Sequence, residues 1–192
     1  MAKEVHIPTA AGRAALEELD RVRWDRLTHA YGRGPQGATL DMDVEAALRA
    51  LGSEDDDERE DAYCGLLSNV WHQGTIYEVT AHAVPFLAAL AAGGDRPGDD
   101  VRRIAYFLGT IGAASCFVAP APSHAGAMTR AVAESTRAAF GASRAHIENI
   151  TKRDPSFAKL AAALIDLASS EGGVELRDRI QALATEYDGS AN

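Results

Sequence analysis

The chain has 192 residues, 46% of them hydrophobic, two cysteines and a net charge of −9. That length holds one domain with a buried core. The acidity excludes the basic footprint of a nucleic-acid binder, and two isolated cysteines exclude a disulfide scaffold or a CxxC metal site and point to free thiols in a reducing compartment. Thirty-eight alanines, 6% aromatics and no β-branched runs indicate closely packed helices rather than a sandwich or barrel.

In chain order, residues 9–22 carry Ala15, Leu16, Leu19 and Val22 at helical spacing, a modest first helix. Trp24, Leu27 and Tyr31 share one side of the next segment, which predicts a short helix stopped by Gly32. GRGPQGATL at 32–40 is loop by composition. Helices are then predicted over 42–52, with Asp41 as N-cap, and over 57–73. The joint after them reads as a tight helix–helix corner. Gly74 suits the positive-φ position past a helix end, Thr75 suits the next N-cap, and Glu78 completes a capping box. Helices follow over 76–92, bent by Pro85, and over 99–113. In the latter, Val101, Ile104, Ala105, Leu108 and Ile111 form one apolar stripe. A linker at 113–126 leads to a helical stretch over 126–151 that Gly141 breaks. Pro155 suits the first turn of a helix over 156–170. After Gly172-Gly173 a last helix, 174–187, caps the stack, and DGSAN is a frayed tail.

Two of these helix pairs are copies of one unit. VEAALRALGSEDDDEREDAYCGLLSNV (44–70) aligns with VPFLAALAAGGDRPGDDVRRIAYFLGTIG (84–112), with 40 residues from Val44 to Val84 and 43 from Ala62-Tyr63 to Ala105-Tyr106. A period of that length with two helices per unit means a stacked helical repeat. The unit resembles a HEAT repeat: V-P-x-L opens the first helix, an acidic loop follows, and V-R-x-x-A opens the second. The copy at 44–70 departs from this, with Asp57-Glu58-Arg59 in place of Val-Arg. W-x-x-L-x-H-A-Y-G (Trp24 to Gly32) and H-Q-G-T-I-Y…A-V-P-F-L (His72 to Leu87) resemble HEAT-repeat proteins common in high-GC, actinomycete-type bacteria. The resemblance spans residues 22–170. It implies an all-α fold, a short right-handed HEAT-like α-solenoid of about three helix pairs plus flanking helices. Residues 1–40 would flank it, 41–170 form the repeats, and 171–192 cap it. For function the resemblance implies a binding scaffold, and some relatives resemble immunity proteins that neutralise a toxin.

Charge supplies the candidate site. Residues 41–61 hold ten acids against Arg49 and Arg59, and seven of the eight residues at 54–61 are acidic. Glu54, Asp55, Asp56, Asp57 and Glu58 are expected to form an exposed edge that suits a basic protein partner. The plainer reading is a solvated loop that keeps the chain soluble. On a helical wheel for 59–73, Ala62, Tyr63, Leu66, Leu67, Val70 and Trp71 fill one arc. Arg59, Asp61, Ser68, Asn69 and His72 fill the other. In the next repeat Arg103, Tyr106 and Thr110 lie opposite the stripe. Second helices line the inside of a solenoid, so Asp61, Ser68, Asn69, His72, Arg103 and Tyr106 are the candidate partner face. Arg102 reads as a structural inter-repeat contact. Trp71, His72, Gln73 and Tyr77 read either as a recognition corner or, more plainly, as repeat packing there, and Cys64 reads as a small hydrophobe at the arc's edge.

Catalytic and cofactor motifs are missing. The sequence has no HExxH, no close Cys/His cluster, no G-x-S-x-G, no P-loop and no dinucleotide fingerprint. No cofactor and no metal are therefore expected. No run approaches the ~20 apolar residues of a membrane span, and the N-terminus lacks an apolar signal core, so a cytoplasmic protein that touches neither membrane nor nucleic acid is expected. The reading is a non-catalytic protein–protein interaction module for a basic partner, with a bacterial immunity or antitoxin-type role as its sharpest version. The alternatives are a HEAT-like DNA-repair glycosylase, which would need Lys and Arg across its groove to hold phosphates, and a scaffold subunit of a larger assembly.

Overall fold

A computed structural model describes residues 18–33, 43–53, 55–93, 98–119 and 128–189. The expected helix over 9–22, Asp41 and Glu54 lie wholly or mostly outside these residues. The fold is predominantly helical. Its α-helices are α1 (Val44–Ala50), α2 (Asp56–Asn69), α3 (Glu78–Ala92), α4 (Gly98–Ala114), α5 (Arg130–Ala142), α6 (Arg144–Arg153), α7 (Ala158–Leu167) and α8 (Val174–Gly189). Among the described residues there are also two antiparallel hairpins, β1 (Thr28–His29) with β2 (Gly32–Arg33) ahead of α1, and β3 (Trp71–His72) with β4 (Thr75–Ile76) between α2 and α3.

Both hairpins stand where helix was expected. Trp24–Arg26 is one 3-10 turn, closed by Leu27 N donating to Trp24 O, and the Trp24 indole N–H donates to Leu19 O at 3.0 Å. The chain then enters β1, and Ala30 N donates to Asn69 O at the end of α2. At the second site α2 stops at Asn69. Gln73 (φ 50°) and Gly74 (φ 84°) both take the left-handed conformation, which a two-residue hairpin turn of the primed kind requires. Gly74 thus has the positive φ its sequence position suggested, but it turns a hairpin rather than ending a helix. Thr75 pairs with His72 and caps nothing. Tyr77 is the N-cap residue of α3, and its N–H donates to Thr80 Oγ1 at 2.9 Å. The Thr80 hydroxyl donates in turn to Val70 O at 2.5 Å. Glu78, expected in a capping box with Thr75, instead accepts from Thr28 N at 3.0 Å and fastens β1 to α3.

Short polar side chains cap the starts of α1 and α5. Asp43 Oδ1 accepts from Ala46 N at 2.7 Å and opens α1, the role expected of Asp41. Thr129 Oγ1 accepts from Val132 N at 3.2 Å and opens α5. The break in the 126–151 stretch falls at Ser143, which sends its hydroxyl back to Ala139 O at 2.7 Å. Pro155 begins a 3-10 turn before α7.

Helix α3 runs through the centre. Val79, Ala83, Val84, Leu87, Ala88, Leu90 and Ala91 are buried, so the helix is apolar around most of its circumference, as a central helix must be. It packs against α4, α5 and α6. The stripe on α4 is buried as its spacing implies, but Phe107, Gly109, Thr110 and Gly112 on other faces are buried too. The cause is α8, which lies along α4. Thr110, expected on a polar strip, is 3% exposed, and its hydroxyl returns to Phe107 O at 2.8 Å. A side chain at Gly109 would stand 2.8 Å from Ala184 Cβ, and one at Gly112 would meet Leu164 closer still. The two glycines therefore set how near α7 and α8 approach. One connected apolar cluster runs from Leu19 to Tyr187.

Candidate functional site

The acidic run folds into the start of α2 and divides by role. Asp55 is the N-cap: its Oδ1 accepts from Asp57 N at 3.0 Å and Glu58 N at 3.3 Å. Glu58 accepts from the Ser53 hydroxyl at 2.5 Å. These two acids build the helix end, where negative charge also meets the positive end of the helix dipole. Asp56 pairs with Arg59, yet its side chain is 89% exposed. Asp57 and Asp61 are exposed and have no cation partner among the described residues.

Behind this end, α2 and α4 are joined by charged pairs. Arg59 Nε lies 2.7 Å from Asp100 Oδ2, with both side chains largely buried, and Arg59 Nη1 donates to Ser53 O at 3.0 Å. Arg103 pairs with Glu60 and lies over the Tyr63 ring, 5.3 Å from its centroid. The hydrogen bond from Arg103 holds Glu60 below the ordinary carboxylate range, against a smaller opposing effect of desolvation. Burial pushes the Tyr63 hydroxyl well above its ordinary value. Arg103, expected on the partner face, is thus engaged between α4 and α2 while remaining at the surface.

The wheel-derived strip does not hold together as one face. Ala62, Gly65, Leu66 and Asn69 form the buried stripe of α2. Gly65 faces α1, where an added Cβ would lie at ordinary contact distance, 4.0 Å, from Ala47 Cβ. Asn69, on the same stripe, is 1% exposed, and its Nδ2 donates to Gly65 O at 2.8 Å. It is not a surface contact residue. Ser68 and Tyr106 are half-buried. His72 sits in β3, its ring 5.6 Å from that of Tyr31. Of the ten candidates, Asp56, Asp57, Asp61 and Arg103 stand outward at one end of α2 and α4; Asp55 and Glu58 build the helix start, and the other four are half-buried or buried.

Two cavities escaped the sequence reading. One, of about 300 Å³, lies between the Trp24 turn, the start of α1 and the end of α2. Its walls include Asp20, Asp25, Asp43 and Glu45, residues with no common motif. The other, of about 430 Å³, lies between the β3–β4 hairpin, α4 and α8 and is lined by Trp71, Ala113, Phe117 and Met128. The indole N–H of Trp71 is buried without a hydrogen-bond partner.

Among the described residues, no helix is long and apolar enough to cross a membrane. Compared with family models, curated proteins and solved structures, the chain matches none of them.

Proposed function

We propose that the chain is a non-catalytic protein-binding module, a HEAT-like α-solenoid that receives a basic partner on the acidic end of α2. A toxin-neutralising immunity role is the sharpest form of this reading. One observation carries it. Asp57 and Asp61 are exposed one helical turn apart, without a cation partner among the described residues, at a spacing where like charges repel. Helix formation does not call for both, since Asp55 and Glu58 already cap the end. With Asp56 beside them, they present negative charge outward next to the Glu60–Arg103 pair. Such a patch accelerates encounter with a positively charged surface.

Site-directed photocrosslinking tests this in native lysate. A crosslinker at position 57 is expected to capture a protein with a basic surface, while the same group at Lys159, on α7, is not. Equal capture from both positions, or capture of acidic proteins only, would overturn the reading.

A further inference from the structure

We infer that the cavity between the β3–β4 hairpin, α4 and α8 binds an uncharged aromatic small molecule. This does not rest on the proposed partner edge, since none of the lining residues belongs to the acidic start of α2. The volume, about 430 Å³, lies within the range of small-molecule sites.

The walls offer aromatic and thioether surface. Trp71 and Phe117 both line the cavity, and neither ring packs against another aromatic ring among the described residues. The Trp71 indole N–H is buried out of an occupant's reach, so ring surface is what Trp71 supplies. Phe117 is 41% exposed, and a ring that packs on it removes apolar surface from water. The small side chains of Ala113 and Ala114 on α4 leave the space between them open.

Met128 is held in place to complete the wall. Its backbone is left-handed (φ 53°), a conformation that residues other than glycine adopt rarely. Its N–H donates to Ile76 O at 3.1 Å, its carbonyl accepts from Ala119 N at 3.1 Å, and its sulfur accepts from Ile76 N at 3.3 Å. A methionine is ordinarily adaptable; fixed in this way, its thioether becomes a standing contact for the edge of an aromatic ring.

Charge in the lining selects against ions. The charged residues there are Arg177 and Asp178, and Arg177 gives both Nε and Nη2 to Asp178 Oδ1 at 2.9 and 2.8 Å. The pair leaves no net charge for an ionic ligand to match. Gln181, one turn further along α8, is exposed, and its side-chain amide makes no hydrogen bond among the described residues. It offers a donor and an acceptor, which suits a ring bearing one polar heteroatom, as in an indole or a phenol.

Titration of the full chain with indole tests this, read by calorimetry and by the Met128 methyl signal in a sample labelled at its methionine methyls. That signal is identified by its loss in Met128→Leu. Indole is expected to bind saturably in the millimolar range or tighter and to shift the Met128 methyl through its ring current. Indole-3-acetate and tryptamine, which add a negative and a positive charge, should bind more weakly, and cyclohexanol should fail. A capped Ala-Trp-Ala peptide should bind no tighter than indole. Phe117→Ala, at an exposed position, should weaken indole about fivefold, the worth of one aromatic contact. Ala113→Leu should fill the space and abolish binding; if that variant does not fold, Phe117→Ala still decides. Reversing Asp56, Asp57 and Asp61 should leave binding unchanged, which separates this site from the partner edge. The inference is wrong if indole does not bind or leaves the Met128 methyl unmoved. It is equally wrong if a charged analogue, cyclohexanol or the peptide binds more tightly than indole, or if Phe117→Ala binds as well as wild type.

Discussion

The hydroxyl of Tyr187 donates to Asp154 Oδ2 at 2.8 Å, tying the last helix to the loop ahead of α7. Arg102 completes the junction. Its guanidinium lies 5.2 Å from the Tyr187 ring centroid and 3.7 Å from Asp154, and it donates to Tyr187 O at 3.4 Å. The structural contact expected of Arg102 is therefore made with α8 and the α6–α7 loop, which closes the end of the molecule.

Removing that hydroxyl should cost stability in a pH-dependent way. Burial alone would raise the Asp154 carboxyl. Hydrogen bonds from Ser156 and Tyr187 and the nearby Arg102 charge outweigh it, and the net shift is downward. A carboxyl lowered in the folded state stabilises above its unfolded value and loses that contribution as pH falls through the folded one. Tyr187→Phe should lose about 1.5–3 kcal/mol near neutrality, the worth of a hydrogen bond to a charged group. Its deficit should narrow below the carboxylate range. Urea melts of both proteins from pH 7 to pH 3 check this, and a deficit unchanged across that range would count against the junction.

Two glycines with positive φ should respond differently to alanine. At Gly74 (φ 84°) an added Cβ meets nothing within 4 Å, so only the conformational cost of about 1–2 kcal/mol applies. At Gly172 (φ 83°) the Cβ would also lie 3.0 Å from the Cys116 backbone, which cannot rotate away. Gly172→Ala should therefore destabilise more than Gly74→Ala in denaturant melts. Thr75→Val should cost no helix cap, because Thr75 is a strand residue, and only its side-chain hydrogen bond with Tyr77 should be lost.

The α4–α8 contact offers a paired test. Gly109→Ala drives a methyl into Ala184 Cβ, and neither group can swing aside, so overpacking of about 1–3 kcal/mol is expected. Ala184→Gly in the same chain should restore much of the loss. Additive melting shifts in the double variant would show that the helices do not meet there.

The thiols should separate by accessibility. Cys116 is buried, and desolvation pushes its pKa up to about 11. Cys64 is exposed, although desolvation and Glu60 raise it too. Ellman's reagent near pH 8 should titrate one thiol slowly in the native protein and the second only after denaturant is added.

Helices were the legible part of this chain because apolar periodicity marks them over ten or more residues. The hairpins were not, since a two-residue ladder has no period to read, and Gln73-Gly74 suits a helix end as well as a primed turn. The face of α2 was misjudged at Asn69 because a wheel weighs polarity, whereas tertiary packing buries the stripe of Ala62, Gly65, Leu66 and Asn69. The close approach of α8 had a signal in Gly109 and Gly112, three residues apart on α4. The Trp24 cavity had none: Asp20, Asp25, Asp43, Glu45 and Asn69 become neighbours only through the fold. In the acidic run, charge was readable but its division was not, because capping at Asp55 and Glu58 depends on where α2 begins.

The most direct test of the partner edge is the association rate of the captured partner with wild type and with the variant carrying Asp56→Lys, Asp57→Lys and Asp61→Lys. Asp55 and Glu58 are left in place so that α2 keeps its cap. Stopped-flow measurements at low salt should show much slower association for the variant at a nearly unchanged melting temperature. The two rates should converge as added salt shortens the screening length from about 10 Å at 0.1 M toward 3 Å at 1 M. Equal rates at low salt, with both proteins folded, would contradict the account and leave these acids as solubilising charge.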